Sequence, residues 1–382
     1  MTEKGVINIS ESDLKLIDEK VRSLFKVEIN FTRGQLFSSL NLPSYIVNKS
    51  SNLKESFIKL HYFLKNYGLI PVLREEAVEA SPGRSSKVSV LRLGAFKPRG
   101  GRRLAFNLAL LFLTIATVSA TGLYFSVSPP FLEVYPETNI LFVSLGFTGG
   151  LMGIIGLHEL GHIFTLRKVK SDSSPPYFIP GIPVIGLPTF GAVIIQRTPP
   201  VNRDALFDMG ISGPIMSFTV SLIVLLIGTL LSKAISPSFA EYLLNKYPGL
   251  GPLPVPLLFI IIQNILLPEA GGVIFIHPIA YAGWLGLIIT ALNLFPIGQL
   301  DGGHAARALF GENNAKYMSY VMIAVLVALG YWLMAILIFL IGGFKHEGPL
   351  DDVSPLKNSR KIAWLVSMGL LVLSVTPFLV FF

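Results

Sequence analysis

The chain has 382 residues, 52% of them hydrophobic and only 14% charged, with a formal net charge of +8 and a mean hydropathy of +0.62. That balance excludes an ordinary soluble enzyme and points to a polytopic membrane protein; much of the basic excess lies beside apolar segments, where Lys and Arg set topology, so it does not call for nucleic acid. Cysteine is absent, which excludes disulfides and thiolate metal ligands.

Residues 1–96 are expected to form a small soluble α+β domain. Ser10 is placed to cap a helix from Glu11 to about Phe25, with Leu14, Ile17, Val21 and Leu24 on one face. Asn52 with Glu55 three residues later reads as a capping box for a second helix ending near Gly68. Leu69–Leu73 and Val88–Leu93 read as short strands. No apolar span occurs in this stretch, so no signal peptide is expected.

Residues 97–382 read as a membrane domain. Lys97, Arg99, Arg102 and Arg103 form a basic hinge that places the start of a first span, Ala105 to about Phe125, in the cytoplasm. The second span, Asn139 to about Leu166, runs back inward and ends in Arg167, Lys168 and Lys170. Its glycines Gly149, Gly153 and Gly156 suggest close helix packing. Near its end lies His158-Glu159-Leu160-Gly161-His162. On a helix, residues four apart share a face, so His158 and His162 can offer imidazole nitrogens to one ion. Glu159, one step round, reaches a water on that ion without being a ligand. Two His ligands and a Glu general base are the arrangement of a zinc metallopeptidase. At ~1.5 Å per residue the ligands lie about 6–14 Å inside the basic cluster, toward the cytoplasmic face.

Pro175 to Thr198 is too rich in proline for a continuous helix. Thr189–Gln196 is β-branched and aromatic, and the stretch reads as an apolar hairpin at the cytoplasmic interface. A third span runs from Ala205 to about Ser232. Asp208 near its start is read as a charge meeting the helix dipole, ahead of a functional carboxylate. A fourth span opens at His277-Pro278, where His277 is expected to be a cap, and ends near Phe295. A fifth runs from Tyr317 to about Phe344 and a sixth from Ile362 to Phe382.

A catalytic zinc takes a third protein ligand. Without Cys it must be His, Asp or Glu, and the best candidate is Asp301, in Asn293-Leu294-Phe295-Pro296-Ile297-Gly298-Gln299-Leu300-Asp301-Gly302-Gly303. That stretch closes an apolar run, and its two glycines let backbone approach an ion. Asp301 and His158 must then reach one membrane face, so the apolar segment Leu253–Leu267 is expected to be re-entrant or to lie on the outer surface. His304 is placed beside the metal group at most, and His61 and His346 have no partner pattern.

With both motifs in view the chain resembles the site-2 proteases, which are intramembrane zinc metalloproteases. The match covers roughly Leu104 to the end, and Gly298-Gln299-Leu300-Asp301-Gly302-Gly303-His304 resembles the branch of archaea, cyanobacteria and chloroplasts, without a PDZ domain. The resemblance implies hydrolysis of a peptide bond inside a transmembrane segment of another protein, with Zn2+ as cofactor and Asn293 orienting the peptide or its oxyanion. It also favours the membrane-associated β-hairpin. The expected fold is an all-α polytopic membrane protein of about six spans. The second, third and fourth form the catalytic core, and the N-terminal domain is cytoplasmic. The expected setting is a prokaryotic plasma membrane. An extended substrate needs partners for its backbone in lipid, so the Thr189–Ile194 edge, with Gly191, is expected to bind it as an added strand. The alternatives are a metal-containing membrane transporter and an inactive relative that only binds membrane helices. Substrate identity and oligomeric state are not legible.

Overall fold

A computed structural model describes residues 10–31, 42–81, 84–96, 104–183, 187–268, 272–342, 346 and 348–376. The basic hinge at Lys97–Arg103 and the C-terminal part of the sixth expected span lie outside them.

Helix α1 (Glu11–Leu24) starts at Ser10, whose hydroxyl accepts from the Asp13 N–H while the Asp13 carboxylate accepts from the Ser10 N–H, a complete capping box. Strands β1 (Val27–Phe31) and β2 (Ser44–Val47) follow, then helix α2 (Leu53–Lys65). The box expected at Asn52 does not form. Asn52 has φ −98° and ψ 9°, off the extended conformation that aims a capping side chain back at the helix. Strands β3 (Leu69–Ser81) and β4 (Arg84–Ala95) are about twice as long as expected and pair from Leu69↔Ala95 to Ser81↔Arg84. The antiparallel sheet has the order β1-β2-β4-β3. Ile17 and Val21 of α1, Phe57, Leu60 and Leu64 of α2, and Leu69, Leu73 and Leu91 of the sheet form its core.

The compact unit built on this core takes in Met1–Gly100, Arg197–Leu206 and Glu347–Lys357. The two later stretches were not expected there. Val201 and Leu350 are buried in its core, Leu73 N–H donates to the Leu350 carbonyl at 2.9 Å, and Lys54 bridges Asp204 at 2.9 Å and the Pro355 carbonyl at 2.6 Å.

The second unit holds the apolar helices. Helix α3 (Leu104–Ser126) leads through the short α4 (Pro129–Val134) to α5 (Ile140–Lys168). Strands β5 (Tyr177–Ile182) and β6 (Leu187–Val193) form the expected antiparallel hairpin. Next come α6 (Arg203–Leu231), β7 (Lys233–Ile235), α7 (Pro237–Lys246), α8 (Leu257–Leu266), β8 (Val273–Phe275) and α9 (Pro278–Leu294), with β7 pairing β8. The last helices are α10 (Asp301–Ala328), α11 (Trp332–Gly342) and α12 (Asn358–Ser374).

Among the described residues, α3, α5 and α6, at 23, 29 and 29 residues, are long and apolar enough to cross a membrane. Helix α8 has ten residues, about 15 Å, half of what a bilayer needs. His277 caps α9 as expected, its ring nitrogen accepting from the Ile279 N–H at 3.2 Å. The expected fifth span is two helices. At the end of α10, Gly330 has φ +90°, its N–H bonds the Val327 carbonyl, and the Tyr331 N–H bonds the Leu326 carbonyl. That double bond with a left-handed glycine is a Schellman termination.

The packing glycines of α5 also differ from expectation. A Cβ at Gly149 or Gly156 would meet nothing within 4 Å, whereas one at Gly146 would lie 2.5 Å from Ile279 and one at Gly161 2.7 Å from the Ser212 carbonyl. The buried face is the one shared by Gly146, Gly150 and Gly161. Between α6 and α9 the backbones touch: a Cβ on Gly228 would lie 2.1 Å from the Ala280 nitrogen, and one on Gly283 2.6 Å from the Leu225 nitrogen.

Candidate metal centre

Helix α5 carries His158, Glu159 and His162, all buried at 6%, 3% and 5% exposure in a helix that is largely apolar until its basic last turn. The two imidazoles face each other one turn apart, with Nε2 atoms 3.1 Å from one another. Asp301 is the first residue of α10, and its Oδ2 lies 3.1 Å from His158 Nε2 and 3.3 Å from His162 Nε2. These are the three donors expected from the sequence, drawn to one point from two elements. Ligands about 2.0–2.1 Å from a tetrahedral zinc lie about 3.3 Å apart, so the spacing and the N, N, O donor set fit that ion.

The turn that delivers Asp301 is built for close approach. Gly298 has φ +48°, and its N–H donates to the Ser319 hydroxyl at 3.0 Å. A Cβ on Gly302 would lie 2.0 Å from the Leu294 carbonyl oxygen, and one on Gly303 2.4 Å from that of Gly298. The two glycines after Asp301 therefore let α10 start hard against the loop it leaves.

Helix α6 supplies what the motifs did not reveal. Met209 contributes its carbonyl 2.8 Å from His162 Nδ1, and the Ser217 hydroxyl lies 3.2 Å from His158 Nδ1. Thr290 of α9 donates to Ser217 Oγ at 2.9 Å. With each Nδ1 engaged, each Nε2 points to the shared site. Gly213 faces the same nitrogens: a Cβ there would lie 2.2 Å from His162 Nε2 and 2.9 Å from His158 Nε2. The Ser212-Gly213-Pro214 run is the one sequence signal of this wall, and Ser217 had none.

Asp208, one residue before Met209, makes a bidentate pair with Arg360 at 2.8 and 2.6 Å. It does more than meet a helix dipole, since it ties the start of α6 to α12. His304 and His346 are each other's partners, Nδ1 to Nε2 at 2.5 Å, a pairing across 42 residues with no local pattern. Asn293 lies half-buried in the last turn of α9 and makes no side-chain hydrogen bond among the described residues. Gly191 lies in β6 at φ +93°, where the register with β5 slips between Phe178 and Pro180. It is the glycine of a β-bulge. Its N–H donates to the Thr189 hydroxyl at 3.0 Å, and a Cβ would meet nothing within 4 Å.

Comparison with known proteins agrees with this chemistry. Residues 146–337 match the description "Peptidase family M50". A protein described as "Probable zinc metalloprotease EGY1, chloroplastic" from Arabidopsis thaliana is 29% identical, over 98% of this chain and 72% of its own length. The rice protein of the same description (Oryza sativa subsp. japonica) is 29% identical over 98% and 69%. A solved structure described as "Site-2 Protease from Methanocaldococcus jannaschii" aligns over 69% of this chain and 86% of its own at 16% identity, with a TM-score of 0.27. The family match takes in both halves of the metal group, and the chain belongs to peptidase family M50, the site-2 protease family.

Proposed function

We propose that this chain is an intramembrane zinc metallopeptidase that hydrolyses a peptide bond within a transmembrane segment of another membrane protein. The observation that carries the reading is the convergence of His158, His162 and Asp301 on one point beside Glu159, at the end of an apolar helix long enough to span a bilayer.

In the proposed mechanism His158, His162 and Asp301 hold the ion. Zinc bound there supplies Lewis acidity to the scissile carbonyl and to water. Glu159 takes a proton from the attacking water and passes it to the leaving nitrogen as the C–N bond breaks, so that one water is consumed and a carboxylate and an amine are released. Ser217 and the Met209 carbonyl fix the imidazole tautomers. Asn293 orients the peptide or its oxyanion. The open edge of β6 pairs with the unwound substrate, for which an extended backbone in lipid has no other partner. The bulge at Gly191 is read as part of that edge.

The finer topology is also a proposal. About six spans cross the membrane while Leu253–Leu267 is re-entrant or lies on the outer surface, α5, α6 and α9 form the catalytic core, and Arg167, Lys168 and Lys170 put the metal end of α5 on the cytoplasmic side together with a soluble N-terminal α+β domain. The proposed setting is a prokaryotic plasma membrane. The relatives are described as chloroplastic, and cell fractionation decides between the two settings.

The test is Glu159→Gln in the full chain. Zinc content should stay at one per chain while cleavage of a membrane substrate falls by at least about 1,000-fold, a loss in the range expected for a catalytic acid–base group. Retained cleavage would end the assignment. A transporter or an inactive helix-binding relative would lose nothing on this change, and membership of a peptidase family favours neither.

A further inference from the structure

Helix α10 is not straight. Gly311 within it has φ +81° and ψ −178°, so the helix breaks after its first ten residues. On a straight helix Gly303 and Tyr320 would stand about 25 Å apart. The break instead folds the second half round a cavity of about 410 Å³ lined by both.

Its polar lining carries two cations against one carboxylate, with the Ser319 hydroxyl among its neutral groups. Arg307 and Lys316 both face it, with the imidazole of His346, the hydroxyl-bearing Tyr320, and Glu312 as the one carboxylate among the described lining residues. Glu312 is 3.8 Å from the Arg307 guanidinium with its side chain 65% exposed, so its charge is largely spent on solvent. Arg307 itself lines the cavity at 1% exposure, where low dielectric strengthens its attraction for an anion.

The cavity also lies where α10 changes character. Gly311-Glu312-Asn313-Asn314-Ala315-Lys316 is polar, and the helix turns apolar from Tyr317. Tyr317 and Tyr320 are 69% and 44% exposed, and Val321 is 58% exposed. Exposed tyrosines at a polar-to-apolar switch mark headgroup level, with apolar surface one step deeper for acyl chains. Basic pockets between helices at that depth take anionic lipid headgroups.

We propose that this cavity is a binding site for a phosphate group of net negative charge, delivered by an anionic phospholipid headgroup. Arg307 and Lys316 engage the phosphate oxygens, Tyr320 donates to the headgroup, and the chains lie along Tyr317 and Val321. The cavity flanks the turn that carries Asp301, through Gly298 and Gly303, but the proposal does not depend on peptidase chemistry.

The test is lipid retention by the purified full chain in neutral detergent, counted by native mass spectrometry after exposure to dioleoylphosphatidylglycerol, to dioleoylphosphatidylcholine or to inorganic phosphate. One phosphatidylglycerol per chain should be retained, phosphatidylcholine should not, and Lys316→Glu should weaken retention at least tenfold. Tyr320→Phe should weaken it less, and Arg307→Gln as much as Lys316→Glu where that variant keeps the native thermal midpoint. Equal retention of both lipids, or retention untouched by Lys316→Glu, would overturn the site. Inorganic phosphate that binds with a Lys316 dependence while phosphatidylglycerol does not would overturn the lipid as its source.

Discussion

Gly213 faces the two metal-binding nitrogens, and the smallest possible side chain there would overlap His162 Nε2 at 2.2 Å. The imidazole cannot retreat freely, because its Nδ1 is held by the Met209 carbonyl at 2.8 Å. Gly213→Ala should therefore lose bound zinc while the helices stay folded, seen as a metal-free protein by mass spectrometry with an unchanged circular dichroism spectrum. Asp301→Ala should also release the ion, whereas Asn293→Ala should leave it in place, and full zinc occupancy in Asp301→Ala protein would refute that ligand. Ser217→Ala removes the partner of His158 Nδ1 but no donor to the ion. Zinc affinity should fall by about 10–100-fold, the usual effect of losing such an outer partner, measured by competition with a chromophoric chelator.

At the scale of elements, the hairpin carries the clearest test. A strand that pairs with substrate needs its backbone donors, and proline removes one. Val193→Pro should lower cleavage of a membrane substrate and its photocrosslinking to β6 at unchanged zinc content; wild-type levels of both would remove the edge from the mechanism. Gly191→Val is a poor probe of the same edge, because φ +93° strains any side chain there whatever the substrate does. The contact between α6 and α9 is a stability question. A Cβ at Gly228 meets backbone at 2.1 Å, so Gly228→Val forces the helices apart and should cost about 1–3 kcal/mol or more, read from the thermal midpoint in detergent.

At the scale of the whole chain, the unit of three stretches has its own pH dependence. His61 of α2 is 8% exposed, its Nδ1 has no hydrogen-bond partner among the described residues, and burial, helped by the nearby Lys65 charge, lowers its pKa from 6.5 to about 4. The unfolded chain therefore binds the extra proton first as pH falls. The stability is present in full above about pH 6.5 and is lost progressively toward pH 4, by up to ~3 kcal/mol. Calorimetry of the full chain between pH 7.5 and 4.5 should show this loss, and His61→Leu should flatten it.

The sequence by itself determined what a single helix or a single turn can encode. The spacing of His158 and His162 fixes a shared face because helix geometry repeats every 3.6 residues. Ser10 announces its capping box within four residues, and proline density near Pro180 forbids a helix and leaves a hairpin. Asp301 was legible as the best candidate because, without Cys, the third ligand falls to His, Asp or Glu, and this carboxylate stands before two glycines at the close of an apolar run. The tertiary structure decided what depends on which faces meet. Ser217, the Met209 carbonyl and Gly213 serve the metal group only because α6 packs against α5 in one rotational setting, which no local period records. The same holds for the glycine face of α5, for His304 finding His346, and for Val201 and Leu350 completing a core begun at Ile17. These contacts are long-range in sequence, and their free energy appears only once burial brings the partners together.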